Sequence, residues 1–202
     1  MQSCKRRTHL KEALRVLKRV IIEGCDGVGK STLQKKIEDH LNGNTFTAHW
    51  TAPPKGMPLY AKMSYMNKVH EHGIEQADLL KNHIIWDRFH LSDLVYLPIY
   101  SDGINNHSWK IDEILAQMNF IVIHVKADPE TIKKRLESRG DWFIDLDDIE
   151  KICKRYDHVM SLTKLPVFTY KTDLDNEFDA ELQDDWLIEF IDTGGKNNES
   201  IF

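Results

Sequence analysis

Residues 24–31 contain a complete phosphate-binding loop, the motif G-x-x-x-x-G-K-[ST], which constrains the fold more than any other feature of the chain. Its glycines allow successive backbone N–H groups to point inward around phosphate oxygens. In such a loop the lysine contacts the terminal phosphates, and the hydroxyl of the last residue binds Mg²⁺. We therefore expect Lys30 to be catalytic and Ser31 to bind the metal. The residues expected to bind the nucleotide are Gly24, Asp26, Gly27, Val28, Gly29, Lys30, Ser31 and Thr32.

The residues on either side of the loop predict the order strand, loop, helix. Val20, Ile21 and Ile22 form a short β-branched run that suits a buried strand. After the loop, Leu33, Ile37 and Leu41 recur on one face of a helix.

Strand and helix patterns alternate along the rest of the chain. Apolar runs predict strands at 20–22, 45–50, 83–87, 119–125 and 166–170. Helical spacing predicts helices at 31–41, 58–80, 91–100, 109–117, 129–138, 146–163 and 177–191. This alternation predicts the α/β, three-layer P-loop NTPase fold, with a five-stranded parallel sheet flanked by helices. In such sheets ligands bind at the carboxyl ends of the strands.

The length and charge of the chain predict how it is organised. Its 202 residues suffice for one α/β domain, which we expect to span residues 19–192. Residues 1–19 hold seven basic side chains and one acidic one, so they carry a net charge of +6 within a chain of net charge −5. We expect residues 1–18 to form a basic extension, which either contacts DNA or, as we favour, docks on the domain as an amphipathic helix. Residues 193–202 are expected to form a flexible tail.

Composition predicts a cytoplasmic protein. No apolar run approaches the ~20 residues that a membrane-spanning helix needs, and the N-terminus lacks an apolar signal segment. The three cysteines, Cys4, Cys25 and Cys153, suggest neither a disulfide framework nor a zinc site.

Asp87 and Arg88 follow the third predicted strand and are the natural partners of the phosphate loop. A carboxylate at this position can bind Mg²⁺ or accept the proton of the phosphoryl acceptor, so Asp87 is expected to be catalytic and a metal ligand. Arg88 can grip a phosphate with two hydrogen bonds, and we expect it to be catalytic. The structural alternative for Arg88 is a salt bridge to Asp87 or Asp93.

These motifs together resemble the thymidylate kinase and deoxynucleoside (monophosphate) kinase branch of the P-loop kinases. The similarity lies in E-G-C-D-G-V-G-K-S-T at 23–32 and D-R-F-H-L-S at 87–92, followed by Tyr96. It continues through the segments 127–131, 135–140 and 154–156 and covers about residues 19–172.

The resemblance implies ATP-dependent phosphoryl transfer and a set of residue roles. Asp26 would meet the sugar hydroxyl of the acceptor, and Arg88 would bind its phosphate. Arg135 and Arg139 would lie at a lid over about residues 139–147, with Arg135 near adenine and Arg139 catalytic at the transferred phosphoryl group. Aromatic residues expected to stack on the acceptor base are Tyr65, Phe89 and Tyr96. A homodimer is common in this branch and is expected here.

One segment departs from the pattern of the branch and bears on the acceptor. Thymidylate kinases usually carry Thr-Arg-Glu-Pro after the second strand, and deoxynucleoside kinases place a catalytic glutamate near there. This chain has W-T-A-P-P-K at 50–55, in which Lys55 could replace the arginine in part. Because the missing glutamate argues against a nucleoside, the leading prediction is transfer to a deoxynucleoside monophosphate, dTMP to dTDP above all.

Three alternatives to a monophosphate kinase stay open on the sequence. They are a deoxynucleoside kinase, a polynucleotide or modified-base DNA kinase, and a nucleotide-binding switch or assembly protein. The switch is disfavoured because guanine-specific switches carry Asn-Lys-x-Asp, whereas residues 125–128 here are V-K-A-D.

Overall fold

A computed structural model describes residues 16–54, 56–140 and 144–196 of the chain. These residues form one sheet of five parallel strands in the order β2-β3-β1-β4-β5. The strands are β1 (Arg19–Glu23), β2 (Thr45–His49), β3 (His83–Asp87), β4 (Phe120–Lys126) and β5 (Val167–Lys171).

Seven α-helices and one short 3₁₀ helix flank this sheet within the described residues, which confirms the predicted three-layer α/β fold. The α-helices are α1 (Lys30–Leu41), α2 (Leu59–Leu79), α3 (His90–Tyr100), α4 (His107–Gln117), α5 (Pro129–Arg139), α6 (Ile149–Met160) and α7 (Glu177–Thr193). The 3₁₀ helix, Leu146–Asp148, precedes α6, so the helix predicted at 146–163 begins with a tighter turn and ends earlier. No described helix has the length and apolar character that a membrane span requires.

The core lies around the three central strands of the sheet. Every residue of β3 is buried, and β1 and β4 are buried along nearly their whole length. Such continuous apolar runs are typical of parallel strands that are covered on both faces. The outer strands β2 and β5 instead contain exposed residues between partly buried ones.

The register of the central strands places the two predicted functional motifs side by side. Strands β1 and β3 pair in parallel with Ile22 opposite Asp87. Both strands therefore end at the same edge of the sheet, where β1 leads into the phosphate loop and β3 leads into Arg88.

Helix α5 has strong local signals at both ends. The Asp128 side chain accepts a hydrogen bond of 2.9 Å from the backbone N–H of Glu130, and Pro129 occupies the first turn. Gly140, with φ +65°, ends the helix in the left-handed conformation that glycine adopts without steric cost. These signals fix the register of α5 and therefore the positions of Arg135 and Arg139.

Replacing Asp128 with alanine is expected to lower the free energy of unfolding by about 1 kcal/mol, because the first turn of α5 loses its side-chain cap. Urea denaturation of the variant and the parent measures this difference. Asn176→Ala is the matched comparison for the loss of a helix cap, because the Asn176 side chain caps α7 by accepting a hydrogen bond from the backbone N–H of Phe178. An Asp128→Ala variant as stable as the parent would contradict the prediction.

The predicted domain limits are only partly covered by the described residues. Residues 1–15 of the basic extension and 197–202 of the tail lie outside them, so the domain limits stay predictions. Lys18 lies against the domain, since its backbone N–H donates to His83 Nδ1 at 2.9 Å. At the other end α7 includes Thr193, and Gly195 N donates to Phe190 O at 2.9 Å.

Candidate active site

The phosphate loop connects β1 to α1 with backbone that only glycine accommodates. Gly24 has φ +151°, and a Cβ there would lie 2.5 Å from the carbonyl oxygen of Val125 on β4. Gly27 has φ +77°, and a Cβ there would lie 2.8 Å from the Leu136 side chain of α5. The loop is thus pressed between the sheet and α5.

Lys30 is the first residue of α1, and its side chain turns back into the loop. Its Nζ donates to the carbonyl oxygens of Gly24 at 3.2 Å and Cys25 at 3.0 Å. Burial, followed by the positive charge of Arg88, lowers the pKa of Lys30 to about 8. Ser31 and Thr32 follow in the first turn of α1, and both are exposed at its N-terminal end, where helix amides and the helix dipole favour anions.

Asp87 ends β3 with one carboxylate oxygen engaged and the other free of protein donors. Its Oδ2 accepts a hydrogen bond of 2.7 Å from Nδ1 of His49, the last residue of β2. Its Oδ1 is buried and has no hydrogen-bond partner among the described residues. A carboxylate oxygen of this kind, together with the Ser31 hydroxyl, fits the ligand preference of Mg²⁺, which proteins usually bind through few side chains plus phosphate oxygens. The described part of the chain contains no cluster of three or more His, Cys, Asp or Glu side chains that could hold a metal ion.

Arg88 adopts a left-handed backbone conformation, with φ +67°, and is only 9% exposed. Its Nη2 contacts Asp26 Oδ1 of the phosphate loop at 2.5 Å. Its Nη1 donates to the hydroxyls of Tyr156 at 2.8 Å, Tyr96 at 3.1 Å and Ser92 at 3.4 Å. The guanidinium is therefore held by neutral hydroxyls on one side and by one carboxylate on the other.

The Asp26 carboxylate is charged in this arrangement. Burial acts to raise the pKa of Asp26, but the positive charges of Arg88 and Lys30 prevail and lower it below its usual value. A buried cation beside a charged carboxylate at the mouth of a phosphate loop can bind an anion by exchanging partners.

Arg135, on α5, contacts the phosphate loop and the residue that follows β5. Its guanidinium donates to Val28 O at 3.3 Å, to Thr172 Oγ1 at 2.9 Å and to Thr172 O at 2.8 Å. Thr172 Oγ1 itself donates to Val28 O at 2.7 Å. Arg135 thus contacts the phosphate loop, and its role beside adenine stays a prediction.

A protein of known structure is similar to this chain in sequence and in fold. YorR, an SPbeta prophage-derived protein of Bacillus subtilis, is 32% identical over 155 residues, which are 76% of this chain and 88% of YorR. The crystal structure of YorR in complex with phosphorylated GDP superposes with a TM-score of 0.59 at 28% identity and covers 85% of this chain and 95% of YorR. The chain belongs to the same family as YorR.

Two further proteins are similar to the chain. A probable thymidylate kinase of Thermoplasma acidophilum is 26% identical over 137 residues, which are 60% of this chain and 71% of that protein. Deoxyadenosine kinase of M. mycoides with bound dATP has a TM-score of 0.58 at 23% identity, covers 84% of this chain and 98% of its own, and shares the fold. No protein-family model matches the sequence. This YorR-family chain is a P-loop nucleotide kinase of the thymidylate and deoxynucleoside kinase branch, and it uses a nucleotide phosphate donor.

The aromatic residues predicted to stack on the acceptor base of this kinase lie in three different environments. Tyr96 contacts Arg88, whose guanidinium carbon lies 5.1 Å from the centre of its ring. Tyr65 is 40% exposed on α2 and is not among the side chains that hold Arg88. Phe89 is only 2% exposed, so the prediction that it offers a face to a base does not fit its position. Its ring packs in the core against the rings of Trp86 at 4.2 Å, His70 at 4.8 Å and Trp50 at 5.2 Å.

The predicted lid is partly described. Arg139 is exposed at the last position of α5, and within the described residues it makes no hydrogen bond or ion pair to Arg88 or the phosphate loop. Residues 141–143 lie outside the described part of the chain, as does Lys55. The catalytic role of Arg139, like the other site roles, stays a prediction.

Sequence analysis missed three residues that shape the site of this kinase. His49 is hydrogen-bonded to Asp87. Glu23 accepts a hydrogen bond from the backbone N–H of Phe89, and Tyr156 accepts one from the guanidinium of Arg88. Glu23 gave a usable signal, because a carboxylate directly after a β-branched strand is unexpected unless it has buried partners. Tyr156 lies in the segment 154–156 that resembles the kinase branch, but neither that resemblance nor any local pattern pointed to the hydrogen bonds of Tyr156 and His49, because their partners are 68 and 38 residues away in the chain.

Proposed function

We propose that this kinase transfers the γ-phosphoryl group of ATP, bound with Mg²⁺, to a deoxynucleoside monophosphate, with dTMP the leading acceptor. The observation that carries the proposal is the ion pair between Arg88 and Asp26 at the mouth of the phosphate loop. A cation held beside the phosphate loop would bind the phosphate of an acceptor that faces the donor.

The ion pair explains how the two residues would serve one acceptor. Among the described residues, the one carboxylate that Arg88 contacts is Asp26, and its other side-chain partners are hydroxyls. An acceptor phosphate that binds Arg88 would displace Asp26 and release its carboxylate. The released carboxylate could then accept a hydrogen bond from the sugar hydroxyl of the same acceptor.

The end of β2 favours a monophosphate over a nucleoside. A nucleoside hydroxyl needs a general base, whereas a phosphate oxygen is already anionic and needs only positioning and charge stabilisation. The described residues from Thr45 to Pro54 contain no carboxylate, and the last position of β2 is His49, whose Nδ1 is bonded to Asp87.

The donor side of the site would use the phosphate loop and its neighbours. Lys30 and the amides that begin α1 would bind the phosphates of ATP, and Arg135 would border the adenine. Ser31 and the buried Oδ1 of Asp87 would hold Mg²⁺, which neutralises charge on the phosphates when bound. His49 would keep the Asp87 carboxylate oriented, and Arg139 would contribute charge from the lid.

One observation supports a second acceptor. Because the YorR structure contains phosphorylated GDP, a guanine nucleotide is the alternative to dTMP within the same reaction.

An acceptor assay tests the proposal with γ-labelled ATP, Mg²⁺ and a panel of deoxynucleosides, their monophosphates, and single- and double-stranded DNA. We expect label on a monophosphate, and the rates with dTMP and dGMP decide between the two bases. Label on a nucleoside would indicate a deoxynucleoside kinase. If no acceptor were labelled although ATP binds, the chain would be a nucleotide-binding switch.

Label on DNA would also overturn the proposal and would make the basic N-terminal residues relevant. In that case, removing residues 1–17 should weaken DNA binding and reduce its dependence on salt concentration, because fewer counterions are released. Full activity of the truncated protein on a monophosphate would show that these residues have no role in the transfer. Size-exclusion chromatography of the same protein tests the expected homodimer.

A further inference from the structure

Glu23 is a buried carboxylate that the proposed reaction does not use. It is the last residue of β1, directly before the phosphate loop, and its exposed fraction is 0%. A carboxylate is almost never fully buried unless it is paired or bonded. Its partners therefore indicate what it does.

One carboxylate oxygen of Glu23 accepts hydrogen bonds from the backbone at the start of α3. Oε1 accepts from the backbone N–H of Phe89 at 2.9 Å and of Ser92 at 3.3 Å. The first N–H groups of a helix have no partner within the helix, and Phe89, at the capping position of α3, makes no side-chain cap bond. Glu23 supplies this cap from a different strand, with a charge that the helix dipole favours.

The other oxygen of Glu23 reaches the guanidinium of Arg88 through hydroxyls. Oε2 accepts from Ser92 Oγ at 2.7 Å and from Tyr156 OH at 3.2 Å. Both hydroxyls accept from Arg88 Nη1. Because a guanidinium can only donate and a carboxylate can only accept, each hydroxyl between them is oriented by both groups.

Residues at the end of β1 accept hydrogen bonds from the two backbone N–H groups on either side of the Arg88 Cα. Arg88 N donates to Ile22 O at 2.9 Å, and the next amide, Phe89 N, donates to Glu23. Between these two bonds Arg88 adopts its left-handed conformation, which is unfavourable for a residue other than glycine. Such a conformation persists only where the surroundings over-determine it.

We propose that Glu23 is a positioning residue for phosphoryl acceptance: its carboxylate fixes both the backbone and the guanidinium of Arg88, so that the cation stays aimed at the acceptor phosphate. This inference rests on the proposed function of Arg88. Glu23 touches neither substrate, and it acts through Arg88. Burial raises the pKa of the Glu23 carboxyl, and the charge of Arg88 opposes that rise.

The test uses Glu23→Gln, which preserves shape but replaces one accepting oxygen with a donor and removes the charge. We expect the KM for the acceptor to rise about tenfold, the size of effect that loss of a hydrogen bond to a charged group produces. The KM for ATP is expected to stay within about twofold of the parent value, because the amides of the phosphate loop make no bond to Glu23.

Asp112→Asn is the matched control, since Asp112 is also a buried carboxylate that ties down α3. It lies 2.9 Å from His90 Nε2 and accepts from Thr163 and Lys164, but it does not contact Arg88. We expect this variant to lose stability without a change in the acceptor KM. Equal changes of both KM values in both variants would show that Glu23 is merely structural and would overturn the proposal, as would an unchanged acceptor KM in Glu23→Gln.

Ser92→Ala keeps the proposal testable if Glu23→Gln does not fold. It removes one connecting hydroxyl and leaves the carboxylate and the helix cap in place, so the acceptor KM should rise by about threefold. No rise in this variant would overturn the connection through hydroxyls.

Amide hydrogen exchange separates this proposal from the proposed function. If the parent protein phosphorylates no monophosphate, the proposed function is wrong, but the exchange of Phe89 and Ser92 amides still reports on Glu23. Faster exchange at these amides in Glu23→Gln than in Asp112→Asn supports the positioning role. Equal exchange in the two variants would overturn it.

Discussion

Replacing Lys30 with alanine is expected to lower kcat by a factor on the order of 10³, because one preorganised cation is lost where negative charge develops during transfer. Lys30 Nζ lies inside the phosphate loop, bonded to two of its carbonyl oxygens. The fold should persist, since burial already disfavours the charge of Lys30 and lowers its pKa to about 8. Steady-state kinetics with saturating ATP and acceptor measure the loss, and circular dichroism measures the fold.

Lys36→Ala is the control for this prediction. Lys36 lies on the same helix as Lys30 and forms an ion pair with Asp184 at 2.5 Å. Both side chains of this pair are partly exposed to solvent. Exposed ion pairs contribute little to stability, so turnover and fold should both be unchanged. Parent-like turnover in a folded Lys30→Ala protein would remove the assignment of the phosphate loop as the donor site.

The fold could be predicted because its signals are local. The strand before the loop, the glycines within it and the apolar face of α1 lie within about 20 consecutive residues, and each agrees with the same strand-loop-helix unit. Strand β3 was predictable for the same reason, since the three apolar residues before Asp87 suit burial on both faces of a sheet.

The environment of Phe89 could not be predicted because it depends on a backbone turn that the sequence does not specify. Arg88 adopts φ +67°, and Phe89 follows with an extended φ of −164°. This pair of conformations directs the Phe89 ring toward Trp86 and the core, while the Arg88 guanidinium faces the loop. A sequence pattern that groups Arg88 and Phe89 as neighbours in one motif therefore predicts that both face the acceptor, whereas their side chains point to different surroundings.

The hydrogen bonds around Arg88 could not be predicted from local sequence patterns either. Glu23 and Tyr156 are separated by 133 residues, and they meet because β1 and α6 both pack against the start of α3. The motif Asp-Arg predicts that a cation is present, but the tertiary contacts decide where the cation points.

Replacing Arg88 with alanine is expected to raise the acceptor KM by roughly a hundredfold, because loss of a buried charge-assisted contact costs about 2–5 kcal/mol. The KM for ATP should change little, since Lys30 and the loop amides remain. Separate titrations of acceptor and ATP in initial-rate measurements test this difference, and Arg88→Lys tests whether charge alone suffices. Lysine should restore only part of the affinity, because it lacks the planar pair of donors.

Arg155→Ala is the matched control for Arg88→Ala. Arg155 also anchors α3, through a bond of 2.9 Å from its Nε to Leu94 O, but it makes no contact with Asp26 or the phosphate loop among the bonds of the described residues. A general loosening of α3 would raise the acceptor KM in both variants, whereas a phosphate contact by Arg88 raises it in Arg88→Ala alone. Equal losses of ATP and acceptor affinity in Arg88→Ala would make Arg88 a structural residue, since removal of its charge would then disturb Asp26 and the loop instead of an acceptor phosphate.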